Sequence, residues 1–259
     1  MNHLEHNRKA WNQRAAAGDV WSTPVPAEII AQARAGRWQI VLTPSRPVPM
    51  EWFGELCDKD VLCLASGGGQ QAPVLAAAGA RVVSFDLADD QLALDQRVAE
   101  REGLSIRCVR GDMTDLSAFA DASFDLVFHP VSNVFIPELA RVWRECHRVL
   151  RPGGALLAGF MNPALFMFDH DEADRSGELI VRHTLPYSDL ACLAPEVLQA
   201  QVARGEALNF GHSLEAQLGG QIDAGFAIVG LYEDQGNDAS WVYSRHGPVA
   251  VATRALKTR

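Results

Sequence analysis

The chain has 259 residues, 48% of them hydrophobic, which is enough for one α/β domain with a sizeable core and argues against a disordered chain. Its formal net charge is −9, because 32 acidic residues outnumber 23 Lys and Arg. An acidic surface repels a phosphate backbone, so we expect no nucleic-acid partner.

The cysteines and the acidic runs give no sign of a metal site. None of the five cysteines forms a CxxC pair, so neither a zinc knuckle nor a disulfide framework is predicted. The acidic stretch 169–174 does not have the spacing of an EF-hand loop, and we expect no metal. The first residues are polar, and no apolar run approaches the roughly 20 residues that span a bilayer. We therefore expect a soluble, cytoplasmic protein without a membrane segment; the sequence does not indicate its oligomeric state.

The chain begins with a segment that differs from the rest. Residues 1–55 contain two helix candidates, 3–17 and 28–35, followed by a proline-rich loop, and we interpret them as a helical cap or lid. Residues 56–259 are predicted to form the main domain. Up to residue 160 this domain alternates short apolar strands with helices, a pattern typical of a doubly wound parallel sheet. The predicted strands are 61–64, 81–85, 105–109, 124–128 and 155–158, and the predicted helices are 73–78, 89–102 and 137–150.

The alternation stops after residue 160. Residues 162–209 are predicted to be an insertion after the fifth strand, with a strand over 178–184. Beyond it we predict a helix over 213–224 and strands over 227–232 and 249–254.

A glycine-rich turn carries the strongest local signal. The run Ala65-Ser66-Gly67-Gly68-Gly69-Gln70-Gln71 follows the first strand and precedes a helix. Glycines let a ligand approach the backbone, and a helix N-terminus offers unpaired N–H groups. Asp86 ends the second strand, where an acid binds ribose hydroxyls in such folds, and Asp112 follows the third, where it can meet an adenine edge. Together these features predict a nucleoside-containing cofactor.

Two classes of cofactor fit this pattern. Gly67-x-Gly69-x-x-Ala72 satisfies the dinucleotide fingerprint, so an NAD(P)-dependent oxidoreductase is an alternative. Against it, the turn lies behind a long tryptophan-rich segment, Asp112 adds a second polar strand end, and the C-terminal elements do not repeat a mononucleotide-binding half. A nucleotide-binding regulatory protein without catalysis is a second alternative.

These segments together resemble the class I S-adenosylmethionine-dependent methyltransferases, in particular the small-molecule group that includes the quinone methyltransferases. The similar segments are 61–70 (motif I), 85–87 (the acidic strand end), 110–113 (the adenine-contacting segment), 124–129 (motif IV) and 148–157 (helix, turn and strand). The resemblance implies a Rossmann-like, mostly parallel seven-stranded sheet whose last strand is antiparallel. It also implies in-line methyl transfer from S-adenosyl-L-methionine to a small-molecule acceptor, releasing S-adenosylhomocysteine.

The resemblance also assigns residues to the cofactor. They are Ala65, Ser66, Gly67, Gly68, Gly69, Gln70, Gln71, Asp86, Leu87, Gln91, Asp112, Met113 and His129. The chain departs from the family at two positions, since Cys63 stands where an acid is usual and Ala65 where a glycine is usual. That acid often helps to order the methionine amino end, and Gln70, Gln71 or Arg14 can take over this moiety.

His129 follows the fourth strand, where it is expected to face the transferred methyl group and to act as a base or to orient the acceptor. The alternatives are a backbone contact to the cofactor or a packed imidazole. The segment 129–133 lacks the residues of the Asn/Asp-Pro-Pro-Tyr motif, so we reject N-methylation of nucleic-acid bases. The residues expected to line an acceptor pocket, each with a structural role as the alternative, are Trp11, Arg14, Trp21, Asn133, His183, Tyr187 and His212.

Overall fold

The computed structural model describes residues 1–237 and 241–258. Within these ranges the α-helices are α1 (His3–Ala17), α2 (Ala27–Arg34), α3 (Gln71–Ala77), α4 (Asp89–Glu102), α5 (Ala140–Val149), α6 (His170–Ser176), α7 (Asp189–Cys192), α8 (Pro195–Ala203) and α9 (Gly220–Asp223). The strands are β1 (Asp60–Leu64), β2 (Arg81–Asp86), β3 (Ile106–Arg110), β4 (Phe124–His129), β5 (Leu150–Met161), β6 (Tyr187–Ser188), β7 (Phe210–Gly211), β8 (Phe226–Asp234) and β9 (Ala250–Lys257). No helix in the described ranges is long and apolar enough to cross a membrane.

The main sheet has seven strands in the order β3-β2-β1-β4-β5-β9-β8. The first five strands in this order are parallel to one another, whereas β9 runs antiparallel to both β5 and β8. This confirms the predicted Rossmann-like sheet and its antiparallel last strand. The chain order reverses between β1 and β4, and in open α/β sheets ligands bind beyond the carboxyl ends of the strands at such a point.

The core lies in two layers, one on each face of the sheet. Along β1, Val61 and Cys63 point into one layer and Leu62 and Leu64 into the other, as the alternation of a strand requires. The first layer is completed by apolar residues of α2, α3 and α4, and the second by those of α5. Because both faces are covered, the strand reads as one continuous apolar run.

Three elements differ from the sequence-based prediction. The strand predicted over 178–184 is wrong, since the backbone forms only an isolated bridge between Phe168 and Val181. The helix predicted over 213–224 begins as a π-helical turn, Glu215–Gly219, and continues as α9. The fifth strand starts at Leu150 because Leu150 already pairs with Phe124, before the pairing register shifts to accommodate 152–154.

The N-terminal segment (residues 1–35) begins over the carboxyl edge of the sheet, where it meets the insertion (residues 162–209), and ends with α2 packed on one face. Asn7 of α1 joins them, because its Nδ2 donates to the Leu208 carbonyl (3.1 Å) and its Oδ1 accepts from the Leu208 N–H (2.7 Å). The same amide also donates to the Phe135 carbonyl after β4 (3.0 Å). On its other side α1 reaches α4 through an ion pair between Arg8 and Asp89 (3.0 Å).

Candidate active site

A cavity of about 1050 Å³ opens at the carboxyl edge of the parallel strands. Its floor comes from the turn after β1 and from the ends of β2 and β3, where Ser66, Asp86 and Asp112 lie. Its walls come from the N-terminal segment and from the insertion, including Trp11 and Tyr187. The cavity therefore occupies the position at which this fold binds ligands.

Most of the residues that the sequence assigns to a site line this cavity. Those assigned to the cofactor are Ala65, Ser66, Gly67, Gln70, Gln71, Asp86, Leu87, Gln91, Asp112 and Met113, and those assigned to the acceptor are Trp11, Arg14, Trp21, His183 and Tyr187. The residues that do not line it are Gly68, Gly69, His129, Asn133 and His212.

The N–H groups of the three glycines in the glycine-rich turn are bound by acceptors of the protein itself. Gly67 N donates to Asp86 Oδ2 (3.0 Å), Gly68 N to the Gln91 carbonyl (3.0 Å) and Gly69 N to Asp95 Oδ1 (2.8 Å). A dinucleotide fold uses such groups to bind pyrophosphate. Here a pyrophosphate would find no free N–H group at these glycines and would approach two carboxyl groups. The arrangement suits a cationic ligand such as a sulfonium better than an anionic one.

The glycines at 68 and 69 are required by the N-terminal segment. A Cβ added to Gly68, whose φ is +123°, would lie 2.7 Å from the Trp21 carbonyl oxygen. One added to Gly69, whose φ is +75°, would lie 2.9 Å from Pro24 Cβ. Both glycines were assigned to the cofactor from the sequence. In the structure they admit residues 21–24 against the turn and do not line the cavity, and their assignment to the cofactor stays a prediction.

Two glutamines assigned to the cofactor also hold the N-terminal segment. Gln70 Nε2 donates to the carbonyls of Val20 (2.9 Å) and Thr23 (3.0 Å). Gln91 Nε2 donates to the Trp11 carbonyl (3.1 Å) and to Ser22 Oγ (2.6 Å). In contrast, Gln91 Oε1 is buried without a hydrogen-bond partner, although Gln91 lines the cavity. A buried acceptor of this kind is costly unless a ligand supplies the donor.

The two acids at the strand ends are fixed by backbone N–H groups. Asp86 Oδ1 accepts from Ala88 N (2.9 Å), and Asp112 Oδ1 accepts from Thr114 N (2.9 Å). Burial raises the pKa of Asp86, while its hydrogen bonds from Ala88 and Gly67 oppose the rise. Each carboxylate oxygen has lone pairs left for a ligand. Leu87 and Met113 also line the cavity beside these two acids, where they offer apolar contact to a planar base.

The imidazole of His129 is enclosed in the core. It is 0% exposed, with Nδ1 3.0 Å from the Leu64 carbonyl and Nε2 2.7 Å from the Asn133 side-chain amide. Burial lowers the pKa of His129, so the ring is neutral. A carbonyl can only accept, so Nδ1 carries the proton and donates to Leu64. The Asn133 amide lies against Nε2 on one side and donates its Nδ2 to Gln217 Oε1 on the other. The side chain thus has the packed arrangement that is the alternative to a role beside the methyl group.

Asn133 and His212 are likewise internal. Asn133 is 1% exposed, and its amide lies 2.9 Å from that of Gln217. His212 Nε2 donates to the carbonyls of Asn133 (3.0 Å) and Ile136 (2.9 Å). Neither side chain forms the acceptor pocket that the sequence assigned to it. Their hydrogen bonds instead fix the backbone that follows β4.

Aromatic rings form the wall farther from the strand ends. The rings of Trp11 and Phe135 meet edge to face at 5.1 Å, and the Arg14 guanidinium lies 4.9 Å from the Trp11 ring centre. Tyr187 stacks on Phe166 at 5.8 Å and donates its hydroxyl to Asp189 (2.8 Å). The His183 ring is 5.0 Å from that of Tyr187. The sequence did not predict that Phe135 and Phe166 line the cavity, because neither residue belongs to a recognisable motif.

Comparison with known proteins agrees with this geometry. A family model described as a methyltransferase domain matches residues 62–158. A protein named "Uncharacterized methyltransferase YbaJ" from Bacillus subtilis (strain 168) is 47% identical over 254 residues, which are 98% of this chain and 98% of that protein. The chain belongs to the class I S-adenosylmethionine-dependent methyltransferases.

Other relatives of the methyltransferase are more distant. A demethylmenaquinone methyltransferase from Thermus thermophilus is 33% identical and aligns with 61% of this chain and 80% of its own length. The crystal structure of an S-adenosylmethionine-dependent methyltransferase from Mesorhizobium loti has a TM-score of 0.60 at 23% identity, covering 80% of this chain and 94% of that one. At this identity the structural match shows the shared fold.

The family decides between the cofactors that the sequence left open. The methyltransferase uses S-adenosyl-L-methionine, so the NAD(P)-dependent oxidoreductase and the regulatory protein without catalysis are both set aside. Among residues 1–237 and 241–258, no group of three or more His, Cys, Asp or Glu residues is placed to hold a metal ion.

Proposed function

We propose that the methyltransferase acts on a small-molecule acceptor bound between the N-terminal segment and the insertion. The observation that carries this proposal is the continuity of the cavity, which runs from Asp86 at the end of β2 to Tyr187 and His183 in the insertion. A ligand pocket of a few hundred Å³ accommodates a drug-sized molecule, so about 1050 Å³ leaves room for an acceptor beside the cofactor. Residues 1–55 and 162–209 then act as the substrate cap.

The residues at the strand ends fit the nucleoside of S-adenosylmethionine. In this proposal Asp86 accepts from the ribose hydroxyls, and Asp112 accepts from the adenine amino group. Leu87 and Met113 pack against the base. When bound, the cofactor supplies an electrophilic methyl group.

Arg14 is the best candidate for the carboxylate of the methionine moiety. It lines the cavity, and its nearest acid, Asp19, is 4.0 Å away, at the limit of an ion pair. Its planar guanidinium matches a carboxylate in a bidentate way. Of the other two residues considered from the sequence, Gln70 already donates to two backbone carbonyls, and Gln71 is 8% exposed with only a long contact to Ser66 (3.5 Å).

The aromatic wall indicates an acceptor with an apolar or aromatic ring. Trp11, Phe135, Phe166 and Tyr187 can pack against such a ring and exclude water from it. Methyl transfer is an in-line displacement, so holding the acceptor behind the methyl group can supply much of the rate.

A base is needed only when the acceptor atom starts protonated. His129 is poorly placed for this role, since both its ring nitrogens are engaged and the ring does not line the cavity. His183 does line the cavity, and we propose that it takes the proton from a hydroxyl or phenol acceptor. Such assistance is typically worth 10²–10⁴-fold in rate.

The test uses methyl-labelled S-adenosylmethionine and panels of phenols, quinols, amines and thiols, together with protein and RNA fractions. We expect label in at least one class of small ring compound. We also expect His183→Ala to lower kcat more than His129→Ala does, when kcat is calculated per folded enzyme. Asp86→Ala serves as the control for cofactor-dependent transfer. Label that appears only in protein or RNA would contradict the small-molecule acceptor.

A further inference from the structure

Asp95 is a fully buried acid on the core-facing side of α4. It is 0% exposed, and the buried residues around it in the helix include Leu92, Leu94 and Val98. An acid in such an apolar stripe is rare unless it is paired, because desolvating a carboxylate is costly. Its partners therefore indicate why it is there.

The carboxylate joins the sheet to the glycine-rich turn. Its Oδ2 accepts from the Ser84 hydroxyl of β2 (2.6 Å), and its Oδ1 accepts from Gly69 N (2.8 Å). Gly69 in turn accepts at its carbonyl from Val25 N of the N-terminal segment (2.8 Å). A continuous line of hydrogen bonds thus runs from the sheet through the turn to the segment that covers the cavity.

The strand residues beneath Asp95 form a row across the sheet. Cys63 pairs in register with Ser84, and Ser84 with Cys108, so the three side chains lie side by side on one face. Burial, and then the charge of Asp95, raises the pKa of both thiols. A thiol is a weak hydrogen-bond acceptor, so neither cysteine can replace a carboxylate as the acceptor of the Gly69 N–H. Cys63 stands at the position where the family usually carries an acid.

We propose that Asp95 is a positioning residue for the cofactor site, which supplies from α4 the hydrogen-bond acceptor that holds the glycine-rich turn. By accepting the Gly69 N–H it fixes the glycine-rich turn and, through Gly69, the N-terminal segment. Asp95 does not line the cavity, so it acts without touching the cofactor. The inference concerns cofactor binding and does not depend on which acceptor is methylated.

The test compares Asp95→Ala, Asp95→Asn and, as a matched control, Asp90→Ala, which removes an exposed acid from the same helix. We expect Asp95→Ala to weaken S-adenosylhomocysteine binding by about tenfold or more, the effect of one lost hydrogen bond to a charged group. The KM for S-adenosylmethionine should rise similarly, while kcat at saturation stays within about threefold. Asp95→Asn, which keeps an acceptor for Gly69 and a donor for Ser84, should bind within about threefold of wild type, as should Asp90→Ala.

Hydrogen exchange gives a second readout that a general loss of stability would not reproduce. Without ligand, the Gly69 and Val25 amides should exchange faster in Asp95→Ala, while amides of β5 and β9 keep their wild-type order of protection. If Asp95→Ala does not fold, Asp95→Ser, which is too short to reach both partners, takes its place. The proposal is overturned if the folded Ala or Ser variant binds S-adenosylhomocysteine like wild type, or if Asp95→Asn binds as weakly as that variant.

Discussion

The two ends of the cavity are built differently. At the nucleoside end, Asp86 and Asp112 lie at strand ends and are oriented by backbone N–H groups. At the acceptor end, Tyr187 is oriented by another side chain, Asp189, which also accepts from Gln201 Nε2 (2.8 Å). Groups held by the backbone persist when side chains change, whereas groups held by side chains do not. The nucleoside end therefore carries the features by which the superfamily is recognised. The acceptor end can change its ligand without changing the fold.

The largest expected effect is on the pH dependence of stability, and it comes from Asp95, which lies beneath the nucleoside end. Burial, with a contribution from the charge of Asp86, raises the pKa of Asp95 to about 7. The folded state then binds the proton more tightly than the unfolded state, so stability falls as pH rises from the ordinary carboxyl range towards 7. Between pH 5 and pH 8 we expect wild type to lose on the order of 3 kcal/mol relative to Asp95→Asn. Urea unfolding of both proteins at several pH values measures this difference; parallel pH profiles would show that Asp95 titrates normally.

Substitution of His129 tests whether the last residue of β4 takes part in the reaction or only supports the fold. His129→Ala removes a buried ring and the contacts of that ring with the Leu64 carbonyl and with Asn133 Oδ1. We expect the free energy of unfolding to fall by about 3 kcal/mol, with kcat of the folded fraction nearly unchanged. Denaturant titration and stopped-time assays measure the two quantities. His183→Ala is the cavity-facing control and should cost less than 1 kcal/mol in stability. A stable His129→Ala enzyme with turnover reduced 10²-fold or more would return the base role to His129.

Asp86 tests the nucleoside end directly. Removing its carboxylate in Asp86→Ala should weaken S-adenosylhomocysteine binding by about 2–3 kcal/mol, since charged hydrogen bonds to two ribose hydroxyls are lost. The Gly67 and Ala88 N–H groups also lose their acceptor, so some loss of stability should accompany it. Calorimetry with the product gives the affinity, and Asp90→Ala, which removes an exposed acid from the same region, provides the control. An unchanged dissociation constant would exclude Asp86 from the ribose site.

The smallest effect is expected at the acceptor end. Tyr187→Phe removes the hydroxyl that donates to Asp189, at a cost of about 1 kcal/mol in stability. Binding of S-adenosylhomocysteine should stay within about twofold, because the ring stacked on Phe166 is retained and the strand ends are untouched. A large loss of product affinity would show that the two ends are coupled, contrary to the comparison above.

The sequence was sufficient for the features that depend on short-range pattern. The apolar run of β1, the helix α4 and the acids Asp86 and Asp112 were all predicted, because strands buried on both faces and acids at their carboxyl ends leave a local signature. The order of the first five strands follows from the same fold. The acceptor end gave no such signal, since its strands β6 and β7 have two residues each and its rings have no fixed spacing.

Two expectations about the site depend on partners that the sequence pattern does not show. Gly68 and Gly69 were attributed to the ligand, although their missing side chains make room for Trp21 and Pro24. His129 was attributed to the reaction, although its burial depends on Asn133 and on the core beneath it. In both cases the deciding partner lies far away in the chain or beneath the surface, and a local motif does not report it. Asp95 is visible in the sequence as an acid among the apolar positions of α4.

The contact between the N-terminal segment and the glycine-rich turn has a consequence for how sequences of relatives vary together. Position 68 excludes a side chain because the Trp21 carbonyl lies against it, and Gln70 is used by the carbonyls of Val20 and Thr23. Homologues that keep a segment equivalent to 20–24 should keep glycine at position 68 and an amide at position 70. Homologues whose chains start after this segment should no longer need an amide at position 70, while the positive φ at position 68 still favours glycine and the acid at 86 is retained. The amide would then be inherited with the N-terminus, and the acid with the cofactor.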